Sequence, residues 1–241
     1  MSLFSSSGSI RTRLAQEHMK NLLPDSEIFM GLVHRLFFAI RPPEGARPYF
    51  LEEQRRFGPG RAVREEYLHL TTALSNDYRA FPSVLANRML AIGDAVIAHQ
   101  FRVVLDQVVA SRHSVAMCAS EKLRSFAALC RVLALGMIRA EVPIRAGWRS
   151  TPHATLLYRR GEPLRQCIDP TSWTVTEFVL IHSHVGLGLH EELGRWPLRV
   201  PASRVLDQGR ERPVDRLLAM LPQERVGLGE GLAAEEAGMC R

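Results

Sequence analysis

"YLHLTTAL" (67–74) and "PHATLLY" (152–158) carry one short phrase, His-x-Thr, inside two apolar stretches from distant parts of the chain. Both stretches are short, apolar and rich in residues that suit a pleated surface, so both read as strands. Side chains alternate along a strand. His69 and Thr71 therefore share one face while Leu70 takes the other; His153 and Thr155 do the same around Ala154. Each strand offers an imidazole and a hydroxyl about 7 Å apart. Where two such strands face one another across a cleft, two imidazoles and two hydroxyls converge.

That set of groups suits in-line displacement at phosphorus. The reaction needs a base beside the entering oxygen and an acid beside the leaving oxygen, and histidine fills either role near neutral pH. Threonine hydroxyls donate to the non-bridging oxygens, where negative charge must be held. With an activated diester such as a strained five-membered cyclic phosphate, no metal is required. A single His-x-Thr in a strand means little; two of them in matching apolar frames carry the reading.

Around the motifs, "HRLFFAI" (34–40) reads as a buried strand stopped by "RPPEGARP". Residues 84–99 place Leu85, Met89, Ile92 and Val96 on one helical face. Residues 101–109 and 113–118 form a predicted hairpin. A second helix over 121–137 repeats the period through Leu123, Phe126, Cys130, Leu133 and Met137, with Ser120 as its N-cap. Strands follow at 153–158, 173–184 and 195–200. Strands with two helices set between them in similar positions give an α+β class and suggest a duplicated body. That body spans 33–200. Residues 1–32 form an N-terminal extension with a short helix in 10–23. Residues 201–241 form a C-terminal extension, partly disordered, with a short helix over 213–221.

The chain has 241 residues, 46% of them hydrophobic, which is enough for a sizeable core. No run approaches the roughly 18 apolar residues that cross a membrane, and the start lacks the apolar stretch of a secretory signal. A cytoplasmic monomer is expected. Cys118, Cys130, Cys167 and Cys240 have no zinc-like spacing. The net charge is +6, and only Lys20 and Lys122 are lysines, so the positive charge is almost all arginine. Arginine's planar fork suits phosphate, and a basic balance suits polyanionic partners.

"RLFFAIRPP" (35–43), "LHLTTAL" (68–74), "PHATLLY" (152–158), "WTVTEFVLIHSH" (173–184) and "LGRWPL" (193–198) together resemble the 2′-5′ RNA ligase family, the RNA 2′,3′-cyclic phosphodiesterases of the two-histidine phosphoesterase superfamily. The resemblance implies two pseudo-twofold lobes, each with an antiparallel sheet, flanking a central cleft with helices outside. It implies hydrolysis of RNA terminal 2′,3′-cyclic phosphate to a 2′-phosphate, with 2′-5′ ligation as the related transfer, and no cofactor. RNA ends are the implied partners. His69 is expected to protonate the departing 3′-oxygen, His153 to activate water, and Thr71 and Thr155 to hold phosphate oxygens. Family members often carry an arginine three positions after the second motif's threonine, where this chain has Tyr158. Arg159 and Arg160 follow; Arg160, in step with Tyr158, reaches the cleft if the strand continues, and Arg159 reaches it only if the strand ends or bulges.

Other readings stand beside this one. A relative acting on a small cyclic nucleotide or an ADP-ribose cyclic phosphate keeps the same site, and a non-catalytic RNA-binding module keeps the cleft without turnover. His182, His184 and His190 tempt a metal reading, but only Glu191 and Glu192 sit at ligand spacing, and no metal is expected. Ser183 or one of these histidines borders the pocket instead. His34, His99 and His113 sit at element edges. Tyr158 and Trp148 are the stacking candidates for a base, whereas Phe37, Phe38 and Trp173 read as core.

Overall fold

A computed structural model describes residues 33–200, and the expectations for 1–32 and 201–241 lie outside the described residues. Among the described residues, nine strands run as β1 (Val33–Ile40), β2 (Arg61–Ala62), β3 (Leu70–Tyr78), β4 (Phe101–Ala110), β5 (Ser114–Cys118), β6 (His153–Tyr158), β7 (Leu164–Val175), β8 (Glu177–Val185) and β9 (Leu189–Pro197). Three helices join them: α1 (Arg47–Phe57), α2 (Ser83–Ala95) and α3 (Arg124–Arg139). The class is α+β, as expected. No helix among the described residues is long and apolar enough to cross a membrane.

Where two sheets were expected, the described strands form one sheet of two four-strand halves, β7-β4-β5-β6 and β3-β1-β8-β9, with β2 added to β6. Neighbours within each half pair antiparallel over several residues. Between the halves, β3 and β6 pair only at Leu70↔Ala154, which makes one continuous sheet through a single residue pair.

The sheet's two faces differ. Leu36, Phe38 and Ile40 of β1 join Phe50 of α1, Met89 of α2 and Leu133 of α3 in the main core. Phe37 and Ala39, the alternate residues, form a small second cluster with Val179 and Ile181 on the other face. Helices thus cover one face, and the cleft lies on the other.

α2 and α3 form where the apolar period predicts them. In α3, Phe126, Leu129, Cys130, Leu133 and Met137 are buried, the stripe a core-facing helix requires. Its start differs: Leu123 is the N-cap, without a side-chain hydrogen bond, and Ser120 instead binds the Asp106 carboxylate through its backbone N–H and hydroxyl. The predicted strand 173–184 is two strands that meet around Thr176, and the last strand runs Leu189–Pro197 rather than 195–200. α1 is an unpredicted helix. Only Phe50 and Phe57 of it are buried, and Gln54 anchors it by donating to the carbonyls of Val63 and Leu156.

Trp196 of β9 fixes α2 against the sheet. Its ring stacks on Phe178 with centroids 5.2 Å apart, and its indole N–H donates to Asp94 at 2.7 Å. Gly93 leaves room for that ring, since a Cβ there would stand 2.2 Å from Trp196 Cζ2. Gly93→Ala is expected to lower stability by about 1–3 kcal/mol, the usual cost of overpacking. Urea denaturation measures it, and an unchanged midpoint contradicts the packing described.

Candidate active site

Each motif histidine is held by the same local bond. His69 stands one residue ahead of β3, after a 3-10 turn at Glu65–Tyr67. Its Nδ1–H donates to the Tyr67 carbonyl at 2.6 Å. His153 opens β6, and its Nδ1–H donates to the Thr151 carbonyl at 2.8 Å. The acceptor lies two residues upstream in both cases. With Nδ1 committed to a carbonyl, Nε2 carries the free lone pair or the mobile proton on both rings.

The seam between the halves fixes how the motifs meet. Leu70 pairs with Ala154 in an antiparallel register. One step either way along that register sets His69 across from Thr155 and Thr71 across from His153. Directly opposed residues have Cβ atoms about 4.5–5.5 Å apart, and diagonal ones about 7–8 Å. The two imidazoles thus take the long diagonal of a four-residue cluster and the two hydroxyls the other diagonal. The buried Leu70 and Ala154 point away beneath them.

A cleft of about 450 Å³, a usual size for a small-molecule site, opens over His69, Thr71 and Thr155 of this cluster, and His153 stands outside its lining. His69, Thr71 and Thr155 line it, as do Tyr158 and Ser183. Among the described residues no carboxylate lines it, whereas Arg35, Arg61 and Arg64 do. Such a wall favours anions. The Arg61 guanidinium lies 5.0 Å from the centre of the Tyr158 ring, and Tyr158 is 46% exposed, leaving a stacked pair open to solvent at the rim.

Arg159 and Arg160 do not line the cleft. β6 ends at Tyr158, so the continuation that would have brought Arg160 inward is missing. Arg159 donates its backbone N–H to the His113 carbonyl and folds its guanidinium over Gly161. The arginines at the cleft come instead from β1, β2 and the segment after β2. Trp148 packs against the core rather than the cleft. Phe37, expected in the core, is buried but lines the cavity floor.

His190 is the residue that sequence reasoning placed least well. It separates from His182 and His184 and lies beside His69, with ring centroids 5.4 Å apart, and against Tyr67 at 4.7 Å. Phe37 packs on His69 from another side at 4.8 Å. Its spacing from His182 and His184 gives no hint of this, because the turn between β8 and β9, which sets His190 opposite Ser183, decides its face.

Burial dominates the electrostatics here. Desolvation pushes His69 down to about 4, assisted by the charges of His153 and Arg41 and opposed by the bond to Tyr67. Desolvation, then the neighbouring His69 and Arg41, push His190 down to about 3. Both rings are neutral in the ligand-free protein at pH 7. In the unfolded chain they take up protons near their ordinary value of 6.5. Their contribution to stability is therefore full above about pH 6.5 and is lost as pH falls toward 4. The urea midpoint is expected to drop between pH 7 and pH 4.5, and to drop less in His190→Phe. Equal drops in the two proteins would remove His190 from this account.

No family model matches the chain, and no curated protein matches it by sequence. Solved structures do match. A crystal structure of E. coli LigT complexed with 3′-AMP is 26% identical, with a TM-score of 0.57, over 69% of this chain and 98% of that chain. A crystal structure of a phosphoesterase is also 26% identical, with a TM-score of 0.56, over 69% of this chain and 99% of that one. A protein of Thermus thermophilus shares the fold at 24% identity and a TM-score of 0.56, over 70% of this chain and all of that one. These structures are matched over nearly their full length. On that footing the chain belongs to the two-histidine phosphoesterase superfamily.

Proposed function

We propose that the cleft hydrolyses RNA terminal 2′,3′-cyclic phosphate to a 2′-phosphate by paired histidine catalysis. The observation that carries the reading is the matched pair of Nδ1–H bonds, His69 to Tyr67 and His153 to Thr151, on either side of one residue pair. Both Nε2 atoms are thereby left for proton transfer around a single phosphorus. His153 takes a proton from water, and the water oxygen attacks phosphorus. The P–O3′ bond breaks, and His69 gives its proton to the departing O3′. Thr71 and Thr155 hydroxyls donate to the non-bridging oxygens throughout. A 2′-phosphate and a free 3′-hydroxyl result, and proton exchange with solvent resets both rings. A 5′-hydroxyl in place of water gives a 2′-5′ linkage by the same steps.

His69 is neutral in the empty cleft, so its acid role requires the bound phosphate's negative charge to raise its pKa. The substrate then creates its own acid. Arg35, Arg61 and Arg64 supply the attraction for the RNA backbone, and the Arg61–Tyr158 pair offers a platform for a base. The 3′-AMP bound by E. coli LigT is a nucleotide with a phosphate on its ribose, which agrees with this substrate class.

A second reading, hydrolysis of a small cyclic nucleotide or ADP-ribose cyclic phosphate, draws on the cleft's size, since about 450 Å³ suits a small ligand. Both are tested together. The protein is incubated with EDTA and either an RNA oligonucleotide ending in 2′,3′-cyclic phosphate or the small substrates, and the products are separated. A 2′-phosphate on the oligonucleotide is expected at a higher kcat/KM. A 3′-phosphate product means that O2′ departs and overturns the mechanism. RNA binding without turnover on any substrate leaves the non-catalytic module.

A further inference from the structure

A second histidine cluster lies on the helix-covered face of the same sheet. In register, His34 of β1 pairs with His184 of β8, Leu36 with His182, and His182 with Glu191 of β9. Directly paired residues share a face, and Leu36 belongs to the main core. His34, His182, His184 and Glu191 therefore project away from the seam cluster, although His184, near the sheet's end, also borders the cleft. The three rings are 6%, 0% and 4% exposed. Phe81 covers them, with ring centroids 4.7 Å from His182 and 6.3 Å from His34.

One ring nitrogen from each histidine lies within 4.8 Å of the others. His34 Nδ1 and His182 Nε2 are 2.8 Å apart. On its far side, His182 donates Nδ1–H to Glu191 Oε2 at 3.1 Å. Glu191 Oε1 stands 3.2 Å from His184 Nε2, yet that buried nitrogen makes no hydrogen bond among the described residues. Three imidazoles are thus packed together with more nitrogen than they satisfy among themselves. The carboxylate behind His182 fixes its tautomer and aims its Nε2 lone pair into the cluster, the arrangement that supports metal-bound histidine.

We infer that His34, His182 and His184 bind a divalent transition-metal ion of the zinc class through their ring nitrogens, with Glu191 as the positioning residue behind His182. Imidazole nitrogens suit zinc, copper and nickel rather than magnesium or calcium. Metal–nitrogen bonds of about 2.0–2.1 Å in a tetrahedral site put the nitrogens about 3.3 Å apart. The His34–His182 pair opens by about half an ångström on binding, and His34 moves its proton to the outer nitrogen. The ion ties β1 to β8 and serves the fold; it takes no part in the cleft's chemistry.

Cobalt tests this by spectroscopy, independent of turnover. The full chain is stripped with a chelator, dialysed, and titrated with Co²⁺. Ligand-field bands that saturate at one ion per chain and are displaced by Zn²⁺ are expected, with a Zn²⁺-dependent rise in Tm of several degrees. His34→Gln and His184→Gln are expected to abolish both, and Glu191→Gln to weaken binding about 10–100-fold. His99→Gln, an exposed histidine elsewhere, leaves them unchanged. If a buried variant fails to fold, the wild-type titration and Glu191→Gln decide. Wild-type protein with no saturating bands and no Tm rise is a hydrogen-bonded histidine cluster only, and the inference falls. It falls equally if folded His34→Gln and His184→Gln bind as the wild type does.

Discussion

His69→Ala and His153→Ala are each expected to lower kcat on a 2′,3′-cyclic phosphate by about 10²–10⁴-fold, the usual contribution of a positioned acid or base. The double variant is expected to be little worse than the poorer single one. A displacement at phosphorus needs both proton transfers in one event, so removing the first partner already strands the second. Circular dichroism should stay native, because the His69 ring lines the cleft, the His153 ring is half-buried at the start of β6, and neither belongs to the main core. Each ring hangs on one bond to a carbonyl two residues upstream, and either carbonyl can turn to water in the variant. A loss under tenfold in either single variant, with the fold intact, ends the two-histidine mechanism for this cleft. Multiplying losses in the double variant would mean that the two rings act in separate steps.

Thr71→Val and Thr155→Val are expected to cost about 10²-fold or more each in kcat, with KM little changed. Valine keeps the shape of threonine and removes only the hydroxyl donor, so the loss reads the donor rather than the packing. A donor aimed at charge that grows in the transition state is worth about 10²–10³ in rate. The register makes the two sites comparable: each threonine faces the other motif's histidine across the seam, so in the proposed mechanism each donor serves the same phosphate from opposite sides. Thr71→Ser and Thr155→Ser, which keep the hydroxyl, should recover most of the rate. A large rise in KM with unchanged kcat would assign the hydroxyls to ground-state binding instead.

Much of this was legible in the sequence because it is local. His-x-Thr on a strand fixes which side chains share a face, and an apolar period of three to four fixes α2 and α3. What escaped was set by pairing between distant segments. Arg35, Arg61 and Arg64 reach the cleft because β1 and β2 lie where the sheet order puts them. Nothing in their own neighbourhoods says so. Arg159 and Arg160 looked closer in sequence, but their strand stops one residue too soon. α1 hid because two buried aromatics seven apart, among Arg and Glu, make too thin a stripe to read as a helix. His34 read as an edge residue, and only the β1–β8 register brings it to His182 and His184.

In the sheet, one rung joins the two halves, and the proposed phosphate chemistry is gathered around that rung. The line along which the sheet is weakest and the line along which the proposed reaction runs are the same. A partner, a crosslink or a mild denaturant that prises the halves apart by the width of a hydrogen bond is expected to disarm the proposed catalyst while leaving every helix and nearly every ladder in place.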